Sequence, residues 1–214
     1  MAQPPGTTIL YLVRHGQTEA NAQNLICGDA ESPLNEKGRK QAVDLAEQMA
    51  EIDFDIAYTS PLSRASDTCD AILAGRDVEK IVTRDLREQD FGEWEMLNYK
   101  TIMQEHPEAF KLFSEDPYRA KAPGGETLAE FRDRVRRAFY DEIIPKHTDE
   151  RVLITSHGGT MRAALCLLMD LPIEKYYYRF DIHNASLCVV QFGKMGGRLL
   201  GLNLRKEEHW HFEY

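Results

Sequence analysis

Residues Ile9 to Gly16 read I-L-Y-L-V-R-H-G, a run of strand-forming apolar residues that ends at an arginine, a histidine and a glycine. Five consecutive apolar residues, with Ile and Val among them, are typical of a strand buried on both faces of a parallel sheet. In such sheets, ligands bind outside the carboxyl ends of the strands. The sequence therefore places Arg14 and His15 in a binding crevice, where Gly16 lets the backbone turn sharply.

A second apolar run, Val152 to Thr155, ends in Ser156-His157-Gly158-Gly159. Two histidines at strand ends, each followed by glycine, indicate functional residues rather than packing residues. The sequence has no H-x-H or H-E-x-x-H motif, and neither histidine has an acidic neighbour in sequence, so the pattern does not favour a metal site. Arg14 beside His15 disfavours a bound cation and favours an oxyanion.

Strand and helix patterns alternate along the chain, which predicts an α/β fold. We expect a three-layer α/β/α sandwich, with a mostly parallel central sheet, helices on both faces and a small helical lid. The first predicted elements are a strand at 9–13, a polar loop at 17–33, a helix capped by Asn35 and a strand at 56–58. A helix opened by Ser60 and Pro61, a weak strand at 81–82 and a charged loop at 85–94 follow. The last predicted elements are a helix with a capping box at Thr127, a strand at 152–155, a helix at 161–169, and strands at 185–192 and 199–204.

The segment at about 98–123 has poor periodicity and three prolines, which predicts short helical pieces forming a lid-like insertion over the sheet. The chain has no internal repeat and no linker, so a single domain is expected over residues 1–214. In the helix predicted after Pro61, Arg64 lies in the opening turn. Free backbone N–H groups and the positive end of the helix dipole would reinforce an anion site there.

Composition limits the partners. The chain has 26 Lys plus Arg against 35 Asp plus Glu, a formal charge of −9, which gives no electrostatic support for binding nucleic acid or an anionic membrane. The N-terminus lacks a leader pattern, and no segment resembles a membrane span. Four widely spaced cysteines without a C-x-x-C motif favour reduced thiols and a cytoplasmic location. The oligomeric state is left open between a monomer and a homodimer.

Several motifs together resemble those of the histidine phosphatase superfamily, which has the phosphoglycerate mutase-like fold. The motifs are Arg14-His15-Gly16, Arg64 in S-P-L-x-R-A, Glu88 in L-R-E-x-x-F-G-x-W, Pro123-Gly124-Gly125-Glu126, and Ser156-His157-Gly158-Gly159. They occur in the order and approximate spacing of that family, from about residue 9 to residue 192. The resemblance is therefore specific and covers nearly the whole chain.

The resemblance implies a phosphohistidine mechanism for a small phosphomonoester substrate, without a metal or an organic cofactor. His15 would attack the phosphoryl group, and Glu88 would donate a proton to the leaving alcohol. The phosphoryl oxygens would be held by Arg14, Asn21, Arg64 and His157. This chemistry suits the residue types, because guanidinium groups stabilise the charge that spreads over the equatorial oxygens. Two neighbouring arginines would also keep His15 neutral and therefore nucleophilic.

Within that family, the sequence favours a phosphatase over a cofactor-dependent phosphoglycerate mutase. Only 69 positions separate Glu88 from His157, which is short compared with the mutases, and Gly159 stands where mutases usually have asparagine. One departure from the phosphatase pattern is Met96, where glycine commonly follows the W-E pair. A non-catalytic phospho-ligand-binding scaffold is the alternative of another class.

The resemblance does not select the substrate. Relatives act on sugar phosphates, phosphoglycerate, fructose 2,6-bisphosphate and α-ribazole 5′-phosphate, and their selectivity lies in the segment at about 98–123. Aromatic residues of that segment and Tyr176-Tyr177-Tyr178 are interpreted as packing residues rather than as a binding surface.

Overall fold

Six strands form the central sheet in a computed structural model of the chain, which describes residues 4–204. The strands are β1 (Thr8–Arg14), β2 (Ile56–Thr59), β3 (Lys80–Val82), β4 (Arg151–Ser156), β5 (Leu187–Gly193) and β6 (Gly196–Leu204). Their order across the sheet is β3-β2-β4-β1-β5-β6. The first four in this order are parallel, whereas β5 runs antiparallel to β1, and β6 antiparallel to β5. The prediction of a mostly parallel sheet is confirmed.

Eight α-helices accompany the sheet in the described residues. They are α1 (Glu19–Ala22), α2 (Glu36–Gln48), α3 (Ser63–Leu73), α4 (Tyr99–Glu105), α5 (Pro107–Glu115), α6 (Leu128–Arg136), α7 (Gly158–Leu168) and α8 (Ile173–Tyr176). A π-helical segment, Arg137–Ile143, follows α6 directly. Asn35 caps α2 by accepting a hydrogen bond from the Gly38 N–H at 2.8 Å, and Thr127 opens α6 with a capping box, as predicted.

The helices cover both faces of the sheet because successive strand residues point to opposite sides. On one face, Leu12 and Ile154 pack with residues of α6 and α7. On the other face, Tyr11 and Leu153 pack with residues of α2 and α3. Each large apolar side chain that is fully buried in these layers contributes about 1.5–3 kcal/mol. The three-layer α/β/α sandwich is therefore confirmed.

Two helix boundaries differ from the prediction. Helix α3 begins at Ser63 rather than at Pro61, and its N-cap residue, Leu62, has no side-chain cap. The Ser60 hydroxyl is instead shared between the Leu62 N–H at 3.3 Å and the His157 ring at 2.8 Å. Helix α7 begins at Gly158, three residues before the predicted start. Its first N–H groups are satisfied by a carboxylate from a distant loop, which sequence periodicity cannot show.

Two other segments predicted as loops contain short helices. The polar loop at 17–33 contains α1, because Thr18 and Asn21 form a reciprocal capping box. The charged loop at 85–94 contains parts of two short 3₁₀ helices, Arg84–Leu86 and Gly92–Trp94.

The segment at 98–123 forms short helical pieces, as predicted. Helices α4 and α5 lie within it, and Asn98 caps α4. Its buried residues Ile102 and Ala122 pack with Trp94 in a small cluster that is separate from the two clusters of the sheet. We call this the lid cluster. The segment predicted as a lid thus packs with Trp94 in an apolar cluster apart from the sheet.

All four cysteines are free thiols, and three of them are buried. None of the helices in residues 4–204 is long and apolar enough to span a bilayer. Residues 1–3 and 205–214 of the expected domain lie outside the described residues.

Met96 adopts a left-handed backbone conformation, with φ of 61°. This explains why glycine suits the position, since only glycine enters that region without a steric cost. Met96 does not line the main cleft, and its side chain is 42% exposed. The departure from the phosphatase pattern therefore affects the backbone of the loop rather than the wall of the cleft.

We expect Met96→Gly to raise the free energy of unfolding by up to about 1 kcal/mol. Relief of the left-handed conformation, roughly 1–2 kcal/mol, exceeds the added chain entropy of glycine, roughly 0.5–1 kcal/mol. Urea denaturation measures the change. Met96→Ala is the matched control, since it removes the same side chain but keeps Cβ, and it should give no gain. Equal effects of the two substitutions would contradict this account.

Candidate active site

The two histidines meet because the parallel strands β1 and β4 are neighbours in the sheet. Arg14 pairs in register with Ser156, so His15 and His157 follow side by side at the carboxyl edge. Their ring centroids are 5.2 Å apart. Strand β2 lies on the other side of β4, and Ser60, which follows it, reaches the His157 ring. The sheet topology thus brings together residues that are far apart in sequence.

His15 is held in the tautomer that a nucleophile requires. Its Nδ1 lies 2.7 Å from the Gly16 carbonyl oxygen, so Nδ1 carries the proton and the lone pair is on Nε2. Burial, and then the positive charges of Arg14 and Arg64, hold the pKa of His15 well below its usual range. The arginines act as the sequence analysis expects, although burial is the larger cause. His15 is therefore neutral and oriented.

His157 is buried and has a protein partner on each ring nitrogen. Arg64 Nε donates to His157 Nδ1 at 3.2 Å, so the proton is on Nε2, which donates to Ser60 Oγ at 2.8 Å. Burial, followed by the charge of Arg64, holds the pKa of His157 well below its usual range. Direct contact of His157 with a phosphoryl oxygen stays a prediction, because it requires one of these partners to be exchanged.

Arg64 is 1% exposed and lies in the first turn of α3, where the sequence places it. Its terminal nitrogens donate to the carbonyl oxygens of Ala30 at 2.7 Å and Gly28 at 2.6 Å. These acceptors are neutral, so they fix the guanidinium without cancelling its charge.

Arg14 is the second cation of the site. Its Nη1 donates to the Ile182 carbonyl at 2.6 Å, while Nε is buried without a hydrogen-bond partner in the described residues. Burial lowers the pKa of Arg14, and the Glu88 carboxylate raises it. Like Arg64, Arg14 forms no ion pair with any carboxylate of residues 4–204. In a chain with an acidic excess, this leaves a local positive charge that suits an anion.

Glu88 is held at the N-terminus of α7. Its carboxylate accepts hydrogen bonds from the backbone N–H groups of Gly159 at 2.8 Å, Thr160 at 3.2 Å and Gln89 at 3.0 Å. A Cβ on Gly159 would clash with this carboxylate. The glycine that the sequence analysis associates with phosphatases is therefore required for the observed position of Glu88.

A buried arginine fixes the backbone that carries Glu88. Arg134 donates to the carbonyl oxygens of Arg87 and Glu88, each at 2.9 Å, and forms an ion pair with Glu126. Thr160 Oγ1 donates to the Arg87 carbonyl at 2.8 Å. The Glu126 of the Pro-Gly-Gly-Glu motif thus supports the site indirectly.

Asn21 lies in α1 and lines the main cleft. Its Oδ1 accepts hydrogen bonds from the Thr18 N–H at 3.2 Å and from Asn184 Nδ2 at 3.1 Å. Its own Nδ2 has no hydrogen-bond partner among residues 4–204, so it is available to donate to a ligand.

All six predicted site residues meet at this edge of the sheet. Five of them line one cleft of about 640 Å³. His157 lies behind the wall of this cleft and contacts Arg64. The cleft also has residues that the sequence analysis does not assign to the site. These are Asn24, Leu25, Ile26, Cys27, Gly28, Phe91, Tyr99, Phe113, Gly159, Arg162, Tyr177, Tyr178 and Asn184. Arg162 follows the second histidine motif by one helical turn, which is the one sequence signal that could have indicated it.

The aromatic residues have two roles. Tyr99, Phe113, Tyr177 and Tyr178 line the cleft, so the interpretation as packing residues is incomplete for them. They also pack, since Phe113 contacts Trp94 at 5.2 Å between ring centroids and Tyr177 contacts Phe131 at 6.5 Å. The Tyr177 hydroxyl would lie 2.6 Å from a Cβ on Gly159, which places it beside Glu88.

No cluster of three or more His, Cys, Asp or Glu side chains suited to a metal ion occurs in the described part of the chain. The charged groups at the cleft are mainly cationic. The arrangement fits an oxyanion.

Comparison with known proteins agrees with this geometry. The sequence profile of the histidine phosphatase superfamily (branch 1) matches residues 10–205. The chain belongs to the histidine phosphatase superfamily. It is 38% identical over 188 residues to the metal-independent phosphoserine phosphatase of Arabidopsis thaliana, covering 86% of this chain and 76% of that protein.

Two further similarities show the breadth of the family. A 2,3-bisphosphoglycerate-dependent phosphoglycerate mutase of Gloeobacter violaceus is 35% identical over 171 residues, covering 78% of each chain. The crystal structure of the α-ribazole phosphatase from Shigella flexneri superposes with a TM-score of 0.86 at 29% identity, covering 92% of this chain and 96% of that chain. The resemblance found from the motifs is therefore confirmed.

The two buried histidines predict a specific loss of stability in acid. Each is neutral in the folded protein and takes up a proton on unfolding below its ordinary pKa of 6.5. The unfolded state then binds more protons, so the free energy of unfolding falls as pH falls, by up to about 1.4 kcal/mol per pH unit for each histidine. Urea denaturation between about pH 7.5 and pH 5 measures this slope.

His15→Asn should reduce the slope by the contribution of one histidine. The matched control is His183→Asn, which removes a ring that is 45% exposed and contacts Asp181, and it should not reduce the slope. A slope unaffected by His15→Asn would show that His15 is protonated in the folded protein.

Proposed function

We propose that this protein hydrolyses a small phosphomonoester through a phosphohistidine intermediate on His15, without a metal. The observation that carries the proposal is the neutral, oriented His15 in a cleft with two arginines that lack acidic partners. Phosphoryl transfer needs a nucleophile in line with the leaving group and fixed positive charge around the transferred oxygens. The relatives that are phosphatases support the same reaction class, and one of them is metal-independent.

In the first step, the lone pair on His15 Nε2 forms a bond to phosphorus while the bond from phosphorus to the ester oxygen breaks. Nδ1 keeps its hydrogen bond to the Gly16 carbonyl, which orients the ring throughout. Arg14 and Arg64 would bind the equatorial oxygens, with Asn21 Nδ2 as a further donor. His157 supports Arg64 through the Nε contact. It would donate to a phosphoryl oxygen from Nε2–H if that group exchanges Ser60 Oγ for the phosphate.

Glu88 would give a proton to the leaving alcohol in that step. This role requires that Glu88 carries a proton when the ester bond breaks. In the second step, water attacks the phosphohistidine, and the Glu88 carboxylate takes the proton of that water. Phosphate leaves, and His15 returns to its neutral form.

A cofactor-dependent phosphoglycerate mutase is the second candidate, because the Gloeobacter violaceus relative has that activity. Gly159 argues against it in this chain. A side chain at position 159 would displace Glu88 from its backbone donors and contact the Tyr177 hydroxyl. A non-catalytic scaffold is disfavoured because the cleft keeps the nucleophile and the proton donor together.

The first test of the proposed function uses 3-phosphoglycerate with a chelator present. The wild-type protein should release inorganic phosphate and form little 2-phosphoglycerate, as measured by a colorimetric phosphate assay and by phosphorus NMR. His15→Ala should abolish both turnover and a labelled phosphoenzyme. Complete dependence on added Mg²⁺ or Zn²⁺ would refute the mechanism, and isomerisation without phosphate release would select the mutase.

The second test separates the role of Glu88 from that of His15. Glu88→Gln keeps the size and an acceptor for the backbone N–H groups but cannot donate the proton, so alkyl phosphates should be hydrolysed about 10²–10⁴-fold more slowly. With p-nitrophenyl phosphate the deficit should shrink, because that leaving group needs little protonation.

Glu93→Gln is the matched control, since Glu93 lies in the same loop with a side chain that is 63% exposed and outside the cleft. It should leave the rates on both substrates unchanged. Equal losses on both substrates in Glu88→Gln would mean that Glu88 is not the proton donor.

A further inference from the structure

Arg162 is a third guanidinium at the cleft, and the reaction described above does not use it. It lies on α7 and is half-buried. Its Nε donates to the Phe180 carbonyl at 2.7 Å, and its Cζ lies 5.9 Å from the centroid of the Tyr177 ring. These two contacts fix the direction of the side chain. Neither terminal nitrogen has a hydrogen-bond partner among residues 4–204, so both are available to donate to a ligand.

Arg162 lacks an acidic partner, unlike the six arginines of residues 4–204 that form an ion pair. Arg87, Arg132 and Arg134, for example, each form an ion pair. Arg162 forms none with any carboxylate in the described residues. A guanidinium that is held in place, partly desolvated and left without a counter-ion is a binding group for a planar anion, because its fork matches a carboxylate.

Arg162 lies on the side of the cleft where the organic part of the substrate would be. Residues three apart on a helix share a face, so Arg162 lies next to Gly159, whose N–H holds Glu88. Side chains of a helix tilt towards its N-terminus, which directs Arg162 back towards Glu88. Glu88 is the proposed donor to the leaving oxygen. Arg162 is therefore near the leaving group rather than behind the phosphoryl group.

The charges at the cleft indicate the charge of a second anionic group on the substrate. Arg14, Arg64 and Arg162 supply three positive charges, and Glu88 is neutral when it carries the proton it donates. A phosphomonoester dianion neutralises two of these positive charges, and the remaining positive charge matches a monoanion. A carboxylate fits this balance, whereas a second phosphate dianion would exceed it.

We propose that Arg162 binds a carboxylate of the leaving group, which makes the preferred substrate a phosphorylated hydroxy acid or amino acid. This inference rests on the proposed function, because it takes the His15 side of the cleft as the phosphoryl site. Arg162 acts as a specificity-determining residue and takes no part in the transfer of the proton or the phosphoryl group.

The test compares two esters that differ at one group. 3-Phosphoglycerate has a carboxylate where sn-glycerol 3-phosphate has a hydroxymethyl group. The wild-type protein should prefer 3-phosphoglycerate in kcat/KM by about 10- to 100-fold, as expected for a charge-assisted hydrogen bond. Arg162→Gln should bring the ratio to within about threefold of unity, mainly by raising KM for 3-phosphoglycerate. Arg162→Lys keeps the charge without the fork and should give an intermediate ratio.

The control is Arg198→Gln, which removes an exposed arginine of β6 that lies outside the cleft. It should leave the kcat/KM values for both esters unchanged. If the wild-type protein shows no preference, or if Arg162→Gln lowers both values equally, Arg162 is a support for Tyr177 and not a carboxylate site.

A binding measurement keeps the two proposals separate. Both esters are titrated by calorimetry into the His15→Ala protein, which cannot turn over. Tighter binding of 3-phosphoglycerate that is lost in His15→Ala/Arg162→Gln supports the carboxylate site even if the wild-type protein releases no phosphate. A lack of phosphate release by the wild-type protein would overturn the proposed function alone. Phosphate release without a binding preference would overturn the carboxylate site alone.

Discussion

The site depends on burying a guanidinium group without a carboxylate. Arg64 is almost fully buried, and three of its N–H groups donate to two backbone carbonyls and to the ring of His157. Neutral acceptors of this kind remove the penalty of unmade hydrogen bonds but leave most of the charge uncompensated. The loop that contributes the Gly28 and Ala30 carbonyls is therefore as much a part of the candidate site as the arginine itself.

In the proposed mechanism, the same positive charges would perform two tasks. They attract a phosphate dianion, and they help to keep His15 neutral so that its lone pair remains free. Glu88 does not neutralise these charges through an ion pair, because backbone N–H groups hold its carboxylate at the N-terminus of α7.

The sequence pattern itself predicts the parts of the site that follow strand ends, whereas Asn21 and Glu88 are assigned only through the family resemblance. His15 and His157 are recognisable because an apolar run stops at each of them, and the parallel order of β1 and β4 then brings them together. The hydroxyl of Ser60 suggests a helix cap, but its partner His157 lies 97 positions away. Arg162 has the local pattern of a solvated helix arginine, and only the fold shows that the cleft is beside it.

The separate lid cluster also has a consequence for local stability. Trp94, Ile102 and Ala122 pack together apart from the sheet, in a cluster that buries fewer apolar residues than either cluster of the sheet, so that separating α4 and α5 from the rest exposes less apolar surface than opening the sheet does. Regions with few buried apolar contacts open at a lower free energy than the global unfolding free energy. The amide hydrogens of α4 and α5 should therefore exchange with solvent through sub-global openings, while those of β1 and β4 exchange only when the whole sheet unfolds.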